Sequence, residues 1–205
     1  MNINKITAIA LTVIAAASAF AGCRRTSKTS VSEQSFSAVE PTTVVVGENK
    51  IRADLLQSVS ANDTVFTLNS VVSPENMEAE GCKYVYFDIT IKNNTNSAYS
   101  LSTLNNFYLI MPDGEEVYSD VRTQLFAMSR FKDDAYFNDP FEIPANGEFS
   151  GIVGGFLVDK NAESFTVGFF PTKDSPSDKD DVMLIDITSD KIKAPDASIL
   201  KEEKN

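Results

Sequence analysis

Apolar and polar residues alternate with a period of two along most of the chain. Val85, Phe87, Ile89 and Ile91 alternate with Tyr84, Tyr86, Asp88, Thr90 and Lys92. That spacing predicts a strand with its aliphatic face buried and its polar face outward. Phe66 and Leu68 open a similar alternation over 64–72. The short apolar run 107–111 meets Pro112-Asp113-Gly114, a hairpin signal, so 116–119 is expected to return alongside it. Pro144-Ala145-Asn146-Gly147 predicts a second turn, followed by a strand over 148–158 with Ile152, Phe156 and Val158 on one face. Gly151, Gly154 and Gly155 thin that strand and predict a bulge or a close backbone approach. Segments 164–170 and 182–188, joined by the polar loop 171–181, complete the set. The pattern describes an all-β fold: an antiparallel sandwich of about seven to nine strands. The stretch 120–138 lacks strand alternation, and a helical turn is expected around 123–129.

The two ends differ from this middle. Lys5 precedes an uncharged apolar run over 6–20, the length of a signal-peptide core and short for a membrane span. The run ends in Phe20-Ala21-Gly22-Cys23, which resembles the bacterial lipobox, with Phe20 in place of the usual Leu. The expectation is a signal peptide over 1–22 and a lipid on Cys23, which anchors the chain at the extracytoplasmic face of the cell membrane. The plainer alternative is an ordinary cleaved signal. Residues 23–42, rich in Ser and Thr, read as a flexible tether, 43–188 as the domain, and 189–205 as a charged tail with a short helix at 197–204.

Charge and composition narrow the function. The net charge is −11, with 29 acidic and 18 basic residues. Nucleic-acid binding needs clustered cations and is not expected. The chain has no His, so a Ser-His-Asp triad and an imidazole base are excluded. There are two cysteines. With Cys23 committed to lipid, Cys82 is expected to lack a partner within the chain and to sit as an inert residue at a strand start.

The stretch from Cys82 to Thr95, Cys-Lys-Tyr-Val-Tyr-Phe-Asp-Ile-Thr-Ile-Lys-Asn-Asn-Thr, resembles the signature strand of a domain-of-unknown-function family common in Gram-positive lipoproteins. Phe107–Met111 with its Pro-Asp-Gly turn, Ile143–Gly147 and Ile152–Val158 follow at family-like spacing, so the resemblance covers about 64–171. It implies an immunoglobulin-like β-sandwich related to the mycobacterial immunoprotective extracellular antigens. It carries over no catalytic residues.

The candidate sites are weighed against simpler readings. Asp133, Asp134 and Asp139, with Asn138 and Asp120 nearby, offer oxygen ligands for calcium, but their spacing is not that of an EF-hand. A solvated acidic loop is the simpler reading, as it is for Asp174, Asp178, Asp180 and Asp181, and no metal or cofactor is assigned. Tyr84, Tyr86 and Tyr99 are placed on one exposed face, as cross-strand pairs or as a partner surface. Phe126, Phe131, Tyr136, Phe137 and Phe141 read as a satellite core beneath a long loop, or as a pocket lining. The possible binding loop is Asp133, Asp134, Tyr136, Phe137 and Asp139. The functional expectation is a membrane-anchored binding or interaction module, not an enzyme, with a protein or cell-envelope partner. The alternative is a carboxylate-dependent hydrolase of envelope polysaccharide, which needs only two acids.

Overall fold

A computed structural model describes residues 47, 49–74, 81–171 and 180–202. The expected signal segment, Cys23, the expected tether and most of the loop 171–181 lie outside the described residues. The elements are β1 (Asn49–Ala53), β2 (Val59–Ala61), β3 (Thr64–Val72), β4 (Cys82–Asn93), β5 (Tyr99–Leu101), α1 (Thr103–Asn106), β6 (Phe107–Ile110), β7 (Glu116–Tyr118), α2 (Val121–Arg130), β8 (Phe141–Ile143), β9 (Glu148–Asp159), β10 (Ser164–Phe169), β11 (Asp181–Thr188) and β12 (Ile192–Lys193).

Two sheets form a sandwich. The first has the order β1-β11-β10-β6-β7 and the second β12-β3-β4-β9, with β2 also paired to β3; β5 and β8 form a separate ribbon. Most pairs are antiparallel, as expected, but β1 runs parallel to β11 and β12 parallel to β3. The strands outnumber the sequence expectation because β2, β5, β8 and β12 have only two or three residues. Alternation cannot register over so short a run.

The core between the sheets is built as the periodicity predicts. Phe66 and Leu68 of β3 and Val85, Phe87, Ile89 and Ile91 of β4 are fully buried in one cluster with Leu109, Val167, Phe169, Met183 and Ile185. Each such side chain contributes about 1.5–3 kcal/mol of burial. The Asp113-Gly114 hairpin is present, with Leu109 opposite Val117 and Gly114 at φ 87°.

β9 departs from the expected facing. Phe149 and Val153 point into the main core, and so do Phe156 and Val158, but Ile152 points to the opposite side of the sheet. The parity changes across Gly154-Gly155, where the pairing register with β4 shifts and both residues have positive φ. An extra residue at a bulge turns all that follows to the other face. Gly155 also makes the close approach: a Cβ there would lie 2.1 Å from Thr123 Oγ1 of α2.

The polar face of β4 is not free. α2 lies across it and creates a second core of Val72, Tyr86, Ala127, Phe131, Tyr136 and Ile152. Tyr86 is fully buried and donates to Thr123 O at 2.7 Å. Tyr84 packs against Phe126, with ring centroids 5.2 Å apart. Tyr99 belongs to the main core and bonds Thr64 Oγ1 at 2.8 Å. The exposed tyrosine face is therefore corrected: a helix that alternation could not reveal covers two of the rings, and the third faces inward. The satellite core is real for Phe126, Phe131 and Tyr136, whereas Phe137 and Phe141 pack with the main core.

The chain beyond Thr188 is part of the fold. β12 extends the second sheet, Leu200 bridges to Phe131, and residues 197–199 form a single 3-10 turn in place of a longer helix.

Candidate functional site

The segment 120–140 is a strap over the second sheet, and three side chains fasten it. Asp120 caps α2, accepting from Arg122 N at 2.8 Å. Gln124, buried, donates from Nε2 to Asp139 Oδ2 at 3.0 Å and to Thr103 Oγ1 at 3.2 Å. Asp139 is the hub. Its carboxylate accepts from Thr103 N at 2.9 Å, Thr103 Oγ1 at 2.6 Å, Ser102 Oγ at 3.0 Å and Leu104 N at 3.2 Å. It therefore caps α1 and ties the end of the strap to it.

Past α2 the strap meets the C-terminal segment and the edge of β9. Lys132 N donates to Ile199 O at 2.9 Å, and Lys201 N to Arg130 O at 2.8 Å. Ile152 N donates to Ala135 O at 2.8 Å and Phe137 N to Ile152 O at 2.9 Å. These bonds frame an open groove of about 360 Å³ on the outer face of the second sheet. Asp88, Ser150, Gly151 and Ile152 form its floor, with Lys132, Asp134 and Ala135 on one side and Ser198 and Ile199 on the other. A ladder of polar side chains runs along the floor: Asn69 Nδ2 donates to Thr90 Oγ1 at 3.0 Å, and Thr90 Oγ1 and Ser150 Oγ are 2.9 Å apart. The groove thus presents two carboxylates, one ammonium and two hydroxyls around a small apolar patch.

Of the five residues expected to form a binding loop, the structure brings only Asp134 to this groove. Asp133 points to solvent and pairs with Lys201 Nζ at 2.7 Å. Tyr136 is buried, and its hydroxyl donates to Gly154 O at 2.9 Å; burial pushes its pKa well above the usual tyrosine value. Phe137 packs on Phe149, with ring centroids 4.9 Å apart. Asp139 serves the fold. Among the described residues no three acidic or cysteine side chains converge as a metal site would require. Asp88, Lys132, Ser150 and Ser198 were missed, because they come from four separated parts of the chain and share no local pattern. Only Asp88, on the polar face of its strand, carried a hint.

Cys82 is 2% exposed at the first position of β4, as expected of a buried strand start. Its sulfur is in a disulfide, which corrects the expectation that it has no partner. The partner lies outside the described residues.

These features define a β-sandwich module with a helical strap and a lateral polar groove. The chain belongs to the DUF4352 family, a domain of unknown function, whose model matches residues 54–179. This is the kind of family to which the signature strand pointed. No curated protein matches the chain. Similar solved structures include a candidate lipoprotein, ycdA, from Bacillus subtilis, with 15% identity, TM-score 0.45, and 69% of this chain and 40% of that chain covered. This chain thus spans about two fifths of ycdA. An uncharacterized β-sandwich protein from Clostridium difficile has 13% identity, TM-score 0.42, and coverage of 73% and 100%. The secreted protein MPT63 from Mycobacterium tuberculosis has 11% identity, TM-score 0.43, and coverage of 67% and 98%.

Proposed function

We propose that this domain is a binding module held at the extracytoplasmic face of the membrane by a lipid on Cys23. Its groove takes a polar envelope ligand that carries an amino group. The lining of the groove carries this reading. Asp88 and Asp134 outnumber Lys132, so the site favours a cationic group, while Ser150 and Ser198 suit hydroxyls. Its volume lies in the ordinary range for small-ligand sites. The soluble Cys23→Ser chain is expected to bind de-N-acetylated glycan fragments in preference to their N-acetylated forms by titration calorimetry. One charge-assisted hydrogen bond is worth about 1.5–3 kcal/mol, so Asp134→Asn should weaken binding about tenfold or more. Equal binding of both fragments, or an unaltered affinity in the variant, would sink the proposal. Hydrolysis of the fragments that disappears in Asp88→Asn or Asp134→Asn would install the hydrolase alternative.

The anchor rests on the apolar run 6–20 and the lipobox-like Phe20-Ala21-Gly22-Cys23. No helix among the described residues is long and apolar enough to cross a membrane. Two acyl chains hold a protein stably where one does not. A thioether sulfur cannot also enter a disulfide, and the chain has two cysteines, so the anchored form proposed here holds Cys82 as a thiol in place of the disulfide described above. Intact mass therefore reads lipid and disulfide together. The membrane-extracted chain should carry the acyl mass on a fragment that begins at Cys23. A chain without that mass, lighter by two hydrogens than its fully reduced form, would refute the anchor.

A further inference from the structure

Six large hydrophobic side chains stand exposed among the described residues, and five of them fall in one stretch of the fold: Leu104, Tyr118, Val121, Leu125 and Met128. They belong to α1, the end of β7 and α2. Within α2 the polarity is reversed from that of an ordinary surface helix. Thr123, Gln124 and Ala127 are buried, whereas Val121, Leu125 and Met128 face outward at i, i+4 and i+7, one continuous stripe. The inward polar residues are explained by the strap they fasten. The outward apolar ones have no such use within the domain.

The point where the chain enters the domain lies at the same end of the first sheet. Asn49 is opposite Asp181, Met183 opposite Phe169, Phe169 opposite Phe107, and Tyr108 opposite Tyr118. Gly47 sits against Val182 and Phe170, and Phe170 is bonded in both directions to Asn106 of α1. Gln124 then links α1 to α2. Across four strand spacings the entry point and β7 are about 19 Å apart. Residues 24 to 46 number 23, and a stretch of that length can reach at most about 80 Å. A lipid on Cys23 thus brings a bilayer within reach of this end of the domain. Arg122 and Lys201 flank the stripe, each paired to a neighbouring carboxylate, Asp120 and Asp133, so the stripe is bordered by neutralised ion pairs. A helix with one outward apolar stripe is suited to lie in the plane of a membrane interface with that face buried.

We propose that α2, with Leu104 and Tyr118, is a membrane-facing surface that seats in the headgroup–acyl boundary of the bilayer to which the chain is tethered. The proposal rests on the lipid-anchor reading above. The tether keeps the effective concentration of bilayer high, so even a weak seat is occupied.

The chain contains no tryptophan, so Leu125→Trp installs a single reporter at an exposed position. The full lipidated chain carrying it is reconstituted in phosphatidylcholine vesicles with and without phosphatidylglycerol. Emission is expected to move to the blue and to be quenched by lipids brominated near the headgroup. Glu115→Trp, at the hairpin at the other end of the first sheet, should remain unquenched. A reporter at position 125 that stays unquenched while the chain sediments with vesicles overturns the membrane-facing surface and leaves the anchor standing. A chain that fails to sediment overturns both. A blue shift that needs no vesicles and grows with protein concentration assigns the stripe to a second copy of the chain and overturns the proposal.

Discussion

Asn93 and Asn94 are neighbours of the same type at the end of the longest alternating run, and the structure gives them opposite roles. Asn93 is fully buried, and its side chain makes four bonds. Nδ2 donates to Ser97 O at 2.8 Å and to Pro144 O at 3.0 Å, and Oδ1 accepts from Thr95 N at 2.8 Å and Thr95 Oγ1 at 2.7 Å. It closes its own turn and pins it to the β8–β9 turn. Asn94 is exposed. Removing a side chain that satisfies several buried groups leaves those groups unpaired, at about 1–3 kcal/mol for each fully buried one. Asn93→Ala should therefore lower stability by about 3 kcal/mol in urea unfolding, and Asn94→Ala by no more than about 0.5 kcal/mol. Equal effects would show that the turn is not held by Asn93. Sequence could mark both residues as turn formers but could not rank them, because the partners at Pro144 and Ser97 become neighbours only in the fold. Asp139 shows the same limit. A carboxylate in an acidic loop looks available for a ligand until its contacts with Ser102, Thr103 and Leu104 are seen.

Among the elements, the long strands were legible and α2 was mostly not. β3 and β4 have one fully buried face, so their periodicity is forced by solvent exclusion and can be read directly. α2 buries Thr123 and Gln124 and exposes Val121, Leu125 and Met128, so its polarity gives no helical signal of the usual sense. The glycines of β9 did announce an irregularity, although not which residues it would redirect. Gly155 permits that bulge on two counts, a φ of 143° and its contact with Thr123. Gly114 has a positive φ of 87° but open space around it. Gly114→Ala therefore carries backbone strain alone, about 1 kcal/mol. Gly155→Ala adds a steric clash and should cost about 3 kcal/mol or more in total. Loss of the α2 contribution to far-UV circular dichroism in Gly155→Ala, and not in Gly114→Ala, would locate the damage at the helix–bulge contact. A Gly155→Ala protein as stable as Gly114→Ala would mean that α2 is not seated there.

At the scale of the whole molecule, the absence of His leaves little to titrate near neutrality, while the aromatic interior sets an alkaline limit. Burial raises Tyr86 and Tyr136 far above the usual tyrosine value, and Tyr99 and Tyr108 are also raised, again mainly by burial. Tyr118 is pushed up to about 12 by partial burial and by its hydrogen bond and proximity to Glu116. An unfolded tyrosine ionises near pH 10. Above that value the unfolded chain sheds phenolic protons that the folded chain keeps, so stability falls as pH rises. Below it, folded and unfolded tyrosines are alike and this contribution is fully present. The urea midpoint should be nearly flat from about pH 6 to 8 and decline above about pH 10. Tyrosinate absorbance in native protein should lag behind that of unfolded protein. Coincident titration curves would contradict the two-core packing. Sandwich architecture and acidic surface were legible from the sequence at this scale. The parallel placements of β1 and β12 were not, because each depends on a distant strand edge left open by the rest of the fold.

The parallel placement of β1 has a mechanical consequence. Its five residues, from Asn49 opposite Asp181 to Ala53 opposite Ile185, run away from the end at which the chain enters. A pull on the chain ahead of Gly47 therefore acts along the strand axis and loads the whole ladder in shear. Had the strand run the other way, the same pull would have peeled the bonds apart one at a time. The direction of a single edge strand thus decides that tension on the incoming chain is met by the whole β1–β11 ladder at once.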